Sequence, residues 1–281
     1  MVNRSPFGRF GLALTWLVLL MGSVAMLVPF YIMVTTSLKS PDDIATSSYL
    51  AWPRTLEWKN YVTVLTNVNV SFPLFFRNTA FIAICSTIGV VLSSALVAFP
   101  FARLNFDGKN KLFTLLLSTM MLPGIVTMIP NYVLFKYLHW VDTYNPLIIP
   151  AFFGGGAYNI FLMRQFFMGI PKDLDEAAML DGATNAVTFW RVIIPLAKPA
   201  LATVAVFSFV GSWQDFMGPL IYINDPNKQT LEVGLRTYTS LTGTQFHLVM
   251  AAAVMVTTPL IILFFFTQRF FVKGIVMTGI K

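Results

Sequence analysis

The stretch that decides the fold runs from residue 176 to residue 199 and reads EAAMLDGATNAVTFWRVIIPLAKP. It lies between two long apolar runs, yet its residue types predict a helix, a tight turn and a second helix. Acids at 173, 175 and 176 suit the positive end of a first helix, and Gly182 is a natural stop. Thr184 or Asn185 can cap a second helix, which Pro195 is expected to end because proline cannot continue the backbone hydrogen bonds.

The composition is that of an integral membrane protein. The chain has 281 residues, of which 56% are apolar and 11% charged, whereas soluble domains have about 25% charged residues. Stretches without Asp, Glu, Lys or Arg are 10–38, 78–102, 112–135, 143–163 and 237–268, and 199–224 contains only Asp215. About 20 apolar helical residues cross a bilayer. An all-α protein is therefore predicted, with transmembrane helices near 10–36, 78–102, 112–136, 144–166, 200–223 and 248–270.

Other functional classes are disfavoured by the same composition. The first run has 29 uncharged residues, which exceeds the roughly 7–15 residues of a signal-peptide core, so a retained helix is favoured. The net charge of +7 is spread over loops that flank the membrane, which argues against nucleic-acid binding. One cysteine excludes an internal disulfide, and His139 and His247 lack metal-ligand spacing.

The distribution of basic residues predicts the orientation. With six spans the two termini share a side, and that side carries 12 Lys and Arg against 7 on the other. An excess of Lys and Arg marks the cytoplasmic side. Both termini and the 176–199 stretch are therefore expected in the cytoplasm, and the long loop 37–77 outside.

An apolar stripe is predicted on the second helix of the stretch. Val187, Trp190, Ile193 and Ile194 recur at three- and four-residue spacing. The stripe can pack beneath the spans, lie in the membrane interface or dock on a soluble partner, and the residues alone leave these alternatives open.

The stretch resembles the EAA loop of ABC importer permeases. The family pattern is Glu-Ala-Ala, three residues, Gly, nine residues and Ile-x-Leu-Pro. Here it reads Glu176-Ala177-Ala178, Gly182 and Val192-Ile193-Ile194-Pro195, with conservative changes at two positions. The surrounding runs FLMRQFFMGIPKDLDEAAMLDGAT, FWRVIIPLAKPAL and FVGSWQDFMGPLIY resemble the carbohydrate-importer branch, which includes the maltose permeases.

The resemblance implies an architecture and a mechanism. It implies the MetI-like permease fold, with residues 1–69 as tail, first span and extracytoplasmic loop, and residues 70–281 as a five-helix core that contains the EAA loop 171–199. A coupling helix in this loop would sit in a cleft of a cytoplasmic ATPase. The residues implied in coupling are Glu176, Ala177, Ala178, Asp181, Gly182 and Pro195.

The resemblance also implies partners. These are a second permease subunit, expected to be a different chain of the MalF type, two copies of the ATPase, an extracytoplasmic solute-binding protein and membrane lipid. The expected location is the inner membrane of a bacterium or archaeon. ATP and Mg²⁺ would be bound by the ATPase, and no cofactor and no enzymatic activity are expected in this chain. The sequence lacks a G-x-x-x-x-G-K-[ST] phosphate-binding run. Gly154–Gly156 is interpreted as a helix-packing site instead.

Polar residues within the spans are candidates for the substrate pathway. They are Trp213, Gln214, Asp215, Tyr158, Asn159 and Asn78. Aromatic faces and amides suit a sugar, oligosaccharide or related polyol, but interhelical hydrogen bonds use the same residue types. Two alternatives remain open at this point: an ABC permease for a non-sugar solute, and a self-sufficient secondary transporter, which would require paired intramembrane charges or internal repeats.

Overall fold

The computed structural model describes residues 6–67, 71–242 and 245–277. All regular structure in these ranges is helical. The α-helices are α1 (Pro6–Ser37), α2 (Pro41–Thr46), α3 (Lys59–Leu65), α4 (Phe72–Arg103), α5 (Lys109–Ser118), α6 (Gly124–Tyr137), α7 (Asn145–Ile148), α8 (Ala157–Gly169), α9 (Asp173–Leu180), α10 (Asn185–Thr188), α11 (Ile194–Leu196), α12 (Lys198–Trp213), α13 (Met217–Tyr222), α14 (Leu231–Thr242) and α15 (Phe246–Met277). Short 3₁₀ turns occupy Thr119–Met121, Ile149–Phe152 and Pro226–Lys228, and a π-helical turn occupies Phe189–Ile193.

The predicted all-α membrane architecture is confirmed. In the described part of the chain, four helical segments are long and apolar enough to span a membrane: Gly11–Ser37, Phe72–Arg103, Asn145–Gly169 and Phe246–Gln268. The number is six if each of two bent helix pairs counts as one span. The six predicted spans fall on these helices, and the structure adds that the third, fourth and fifth are interrupted.

The third span breaks at Pro123. The helices on either side, Lys109–Met121 and Gly124–Tyr137, meet at 99°. Leu122 has an extended conformation with ψ 116°, as expected for a residue before proline, whose ring excludes the helical conformation of its predecessor.

The fourth span is interrupted by three glycines with left-handed backbone, Gly154, Gly155 and Gly156, at φ 105°, 66° and 87°. A Cβ on Gly155 would lie 2.6 Å from the carbonyl oxygen of Val90, so only glycine allows this approach to α4. The predicted packing role is confirmed, and the loss of helix is the additional finding.

The fifth span ends at Trp213 rather than continuing to residue 223. Residues 214–216 separate α12 from α13. The interruption coincides with Asp215, whose carboxylate accepts a hydrogen bond from the backbone N–H of Gly218 at 3.0 Å. An aspartate that bonds to a nearby backbone amide favours a new helix start over continuation of the old one.

The chain divides into two compact units, one formed by Met1–Val70 with Leu235–Thr258 and the other by Ser71–Gly234 with Pro259–Lys281. In the second unit, α4 packs against α8 and α12. The core consists of buried residues Ala95, Ala98, Phe99, Ile160, Met163, Phe167, Ile170, Phe189, Ile193, Ala197, Ala200 and Val204. Alanines on α4 and α12 let the helices approach closely, which favours association inside a membrane.

In the first unit, the segment after α1 is compact rather than a plain loop. The side-chain amide of Asn60 donates to the carbonyl oxygens of Ser37 and Lys39 at 2.8 and 3.0 Å. The Lys39 side chain is buried, and its Nζ donates to the carbonyl oxygen of Ser48 at 2.9 Å. The predicted boundary between 69 and 70 lies within 68–70, outside the described residues, as do the terminal residues 1–5 and 278–281.

Candidate functional site

The loop between α8 and α12 has the predicted helix–turn–helix structure. Helix α9 carries Asp173, Asp175 and Glu176 in its first turn. It ends in a Schellman motif, in which the N–H of Gly182 bonds to the carbonyl of Met179 at 3.0 Å and the N–H of Ala183 to that of Ala178 at 2.9 Å. Gly182 takes the left-handed position of this motif at φ 80°.

The second helix begins as predicted but does not end at Pro195. The Thr184 hydroxyl accepts from the N–H of Val187 at 3.4 Å and caps α10. A π-helical turn follows, closed by the N–H of Ile194 on the carbonyl of Phe189. The wider turn accommodates the proline ring, so Pro195 lies inside α11 and the helix axis bends at Ala197 instead.

The residues of the predicted apolar stripe divide between the core and the exposed surface of the loop. Ile193 is buried in the core, but Val187 and Trp190 are exposed. Phe189 takes the buried place and packs edge-on against Phe99 of α4 with ring centroids 5.1 Å apart. The π turn changes the rotation per residue, so spacing counted for a regular α-helix does not predict that Phe189 is the buried aromatic.

An exposed apolar and acidic surface covers part of the loop. We call it the loop surface and define it as Glu176, Met179, Leu180, Val187 and Trp190, all of which are exposed. The Leu180 side chain is 90% exposed. A Cβ added to the neighbouring Gly182 would meet no atom within 4 Å, so this side of the turn is open.

Of the residues predicted for coupling, Glu176, Ala177, Asp181, Gly182 and Pro195 are exposed. Ala178 is half-buried. Sequence reasoning missed Met179 and Leu180 as surface residues. Their exposure could have been predicted from their position at the end of an eight-residue helix, because so short a helix does not bury two faces.

A buried ion pair ties the loop to α4. Arg103 Nη1 lies 3.3 Å from Asp175 Oδ2, and the two side chains are 3% and 15% exposed. The Nη2 group of Arg103 donates to the carbonyl of Ile170 at 2.7 Å. Arg103 therefore joins the last turn of α4 to both the entry and the first turn of the α9 segment, a role that its sequence position did not indicate.

A small cleft lies beside this ion pair. Its volume is about 210 Å³, and its lining includes Phe99, Arg103, Glu176, Met179 and Thr188. The cleft lies between α9 and the end of α4, which the Arg103–Asp175 pair joins.

The pathway candidates fall into two groups. Trp213 is 2% exposed, and its ring packs between Phe209 and Phe76 at centroid distances of 5.4 and 5.5 Å. Asn78 is also buried, and its amide donates to the carbonyls of Asn227 and Gln229 at 2.9 and 3.0 Å. Both side chains hold the fold together in this conformation.

The remaining candidates lie at the breaks in the spans. Tyr158 and Gln214 are exposed. Asn159 donates to the carbonyl of Gly155 at 2.7 Å, just after the glycine break. Asp215 is half-buried, and its carboxylate leaves no room for a Cβ on Gly218. Interrupted helices expose backbone polar groups, which in transporters are tolerated where they line a cavity.

An electrostatic clamp closes the opposite end of α4. The Asp142 carboxylate accepts from the backbone N–H groups of Asp225 and Asn224 at 2.9 and 3.1 Å, and Lys228 Nζ lies 3.2 Å away. The hydrogen bond from the backbone N–H of Asp225 is the largest effect on the pKa of Asp142 and lowers it. Desolvation raises the pKa, but the contacts with Lys228 and the N–H of Asn224 lower it further, so it lies below its usual value. The clamp fixes the α6–α7 loop to the α13–α14 loop.

The sequence of residues 89–277 matches the family described as binding-protein-dependent transport system inner membrane component. The chain belongs to this family. It is a permease subunit, a transport component of an inner-membrane ABC importer.

Named relatives support the assignment. The arabinooligosaccharides transport system permease protein AraQ of Halalkalibacterium halodurans is 33% identical over 229 residues, which are 82% of this chain and 81% of that protein. The trehalose/maltose transport system permease protein MalG of Thermococcus litoralis is 31% identical over 270 residues, covering 94% and 96% of the two chains.

A solved structure shows the same fold. A chain of a bacterial ABC transporter involved in the import of the acidic polysaccharide alginate superposes with a TM-score of 0.84 at 24% identity, covering 96% of this permease and all of that chain. The MetI-like permease fold is thereby confirmed.

Proposed function

We propose that this permease imports a sugar, oligosaccharide or related polyol, driven by ATP hydrolysis on a separate subunit that docks on the loop surface. The solute class is supported by relatives whose names specify arabinooligosaccharides and trehalose or maltose. The complete transporter would contain a second, different permease chain, two ATPase subunits that bind ATP and Mg²⁺, and an extracytoplasmic binding protein.

The observation that carries the coupling proposal is the exposure of the loop surface. Leu180 is 90% exposed at the end of a short helix, and Met179 and Trp190 are exposed with it. Apolar side chains grouped on an exposed surface are typical of an interaction site. Glu176 adds a negative charge beside this apolar patch, which suits a cleft that is apolar inside and basic at its rim. Glu176, Ala177, Ala178, Asp181 and Gly182 belong to α9 and the turn that follows it, the part of the loop that would enter such a cleft.

Force from the ATPase would reach the membrane helices through two contacts. The Arg103–Asp175 pair joins α9 to α4, and Phe189 and Ile193 join the second loop helix to the core. Since α4 packs on α8 and α12, displacement of the loop would move the elements that flank the breaks in spans four and five.

The proposed substrate pathway follows those breaks. Tyr158 and Gln214 are exposed, and Asn159 and Asp215 are half-buried beside them in sequence. Trp213 and Asn78 would reach a substrate only in another conformation of the transport cycle, because both are buried here.

Docking is tested by purification of the transporter with its ATPase. Leu180→Asp places a charge in the expected cleft, and Glu176→Lys reverses the rim charge. Each is expected to reduce recovered ATPase and solute uptake by at least tenfold while the permease still inserts. Leu56→Asp is the matched control, because Leu56 is exposed apolar surface in the loop after α1. Normal ATPase recovery with both loop variants would refute the docking surface.

The solute class is tested separately by uptake into proteoliposomes that contain the complete transporter. Arabino-oligosaccharides and trehalose are the first solutes to compare, with a dipeptide as the non-sugar control. ATP-dependent uptake of a sugar supports the proposal. Peptide uptake without sugar uptake, or uptake by this chain alone on an ion gradient, would overturn it.

A further inference from the structure

We propose that a basic pocket at the α4–α5 junction binds the phosphate of an anionic phospholipid. The pocket has a volume of about 550 Å³ and is lined by residues 105–111 together with Arg164 of α8. It lies at the same end of α4 as Arg103, which donates a hydrogen bond to the carbonyl of Ile170 just before the 171–199 loop.

The pocket carries an excess of positive charge. Lys109, Lys111 and Arg164 line it, against one acid, Asp107. The positive charges of Arg164 and Lys172 also repel the positive charge of Lys109. Within 6–67, 71–242 and 245–277, none of these four cations forms an ion pair. Like charges gathered in this way repel one another, so an anion in the pocket would be stabilised.

Two of the cations are held in place and retain free donors. Lys109 Nζ donates to the carbonyl of Leu104 at 2.7 Å. Arg164 Nε donates to the carbonyl of Phe101 at 3.1 Å, and its guanidinium lies 4.1 Å from the ring centroid of Phe113. A lysine has three donor hydrogens and an arginine five, so each keeps donors for the oxygens of a phosphate.

The local backbone adds donors. Helix α5 begins at Lys109, has ten residues and has no side-chain cap at Gly108. The first amides of a helix lack intrahelical acceptors and favour a phosphate.

The surroundings point to a lipid rather than a soluble anion. The pocket follows Arg103, where the α4 span ends, and the end of a span is where a helix is expected to meet the lipid headgroups. From the pocket, α5 continues with the exposed apolar side chains of Leu112 and Leu115. A bound phospholipid would place its phosphate on the basic residues and its acyl chains along these leucines.

Native mass spectrometry of the full-length permease in detergent tests this site. We expect 1-palmitoyl-2-oleoyl phosphatidylglycerol to bind more tightly than the matched phosphatidylcholine. Lys111→Ala should weaken phosphatidylglycerol binding about fivefold, the effect of one basic residue near an anionic lipid. Lys111 is the residue to change because it is exposed and donates no hydrogen bond within the described chain. The matched control is Lys198→Ala, an exposed lysine outside the pocket.

Three results would overturn the proposal. They are equal affinity for the two lipids, equal weakening by Lys111→Ala and Lys198→Ala, and displacement of phosphatidylglycerol by equimolar glycerol 1-phosphate, which has no acyl chains and would mark a soluble-anion site. Retention of phosphatidylglycerol affinity by Lys111→Arg would support it. None of these measurements involves the ATPase or the imported solute, so failure here leaves the proposed function standing.

Discussion

At the scale of single residues, the most informative contact is the ion pair between Arg103 and Asp175. Its atoms lie 3.3 Å apart and its side chains are almost enclosed. A buried pair of this kind contributes little net stability, but removing one partner leaves an uncompensated charge. The pair therefore specifies where α9 sits on α4 more than it stabilises the fold.

The first prediction concerns this pair. Arg103→Met should destabilise the permease by about 3–5 kcal/mol, because the Asp175 carboxylate loses its counter-charge. The double variant Arg103→Met/Asp175→Leu should recover part of that loss, since no buried charge remains. Denaturant titration in detergent would measure both, with Arg191→Met as a control because Arg191 is exposed. A double variant as unstable as the sum of the single variants would show that the two residues are not coupled.

At the scale of elements, loops at the two ends of α4 are fixed differently. Asn78 and Arg103 are about 38 Å apart along this helix at about 1.5 Å per residue. Near Arg103 the 171–199 loop is held by the buried Arg103–Asp175 ion pair. Near Asn78 the side chains of the Asp142–Lys228 clamp are partly exposed to water. The Asp142–Lys228 clamp is expected to respond to pH, because the clamp lowers the pKa of Asp142.

The second prediction is therefore a pH dependence of stability. Because the folded pKa of Asp142 is lowered, its stabilising effect is full above the unfolded value of about 3.9 and is lost as pH falls through the folded value. Asp142→Asn should lower the melting temperature by a few degrees at pH 7 and pH 5. The difference from the unmodified protein should shrink towards pH 3.

Thermal unfolding in detergent at the three pH values measures this effect. Asp173→Asn is the control, since Asp173 is exposed and its side chain has no bonded partner among the described residues. A difference that grows on acidification would contradict the assigned sign.

At the scale of the whole molecule, the proposed function requires the 171–199 loop and the Asp142 clamp to face opposite sides of the membrane. The excess of Lys and Arg predicts the loop side as cytoplasmic. The third prediction is that Asp181→Cys, in a Cys85→Ser background, reacts with a membrane-impermeant maleimide only in permeabilised cells. Asn224→Cys, at the other end of α4, should react in cells whose cytoplasmic membrane is intact and whose outer membrane or cell wall has been removed.

The chain with Cys85→Ser alone is the control for background labelling, because Cys85 is the protein's one cysteine. The reverse labelling pattern would place the loop surface on the wrong side for a cytoplasmic ATPase and would contradict the coupling mechanism.

Local chemistry in the sequence was sufficient to predict several features. The lengths of the apolar runs predicted an all-helical membrane protein, because a helix satisfies its own backbone in lipid. The acids before Glu176, the glycine at 182 and the cap at Thr184 predicted the helix–turn–helix form of the 171–199 loop, because these signals act within one helical turn.

Tertiary structure alone decided which side chains are buried and what they contact. Whether Phe189 or Trp190 turns inward depends on the π turn and on the surface that Phe99 presents. The Arg103–Asp175 pair joins residues distant in sequence, and Gly155 breaks its helix where the Val90 carbonyl approaches. Periodicity describes one helix by itself, whereas these outcomes depend on the shape and charge of a neighbouring helix.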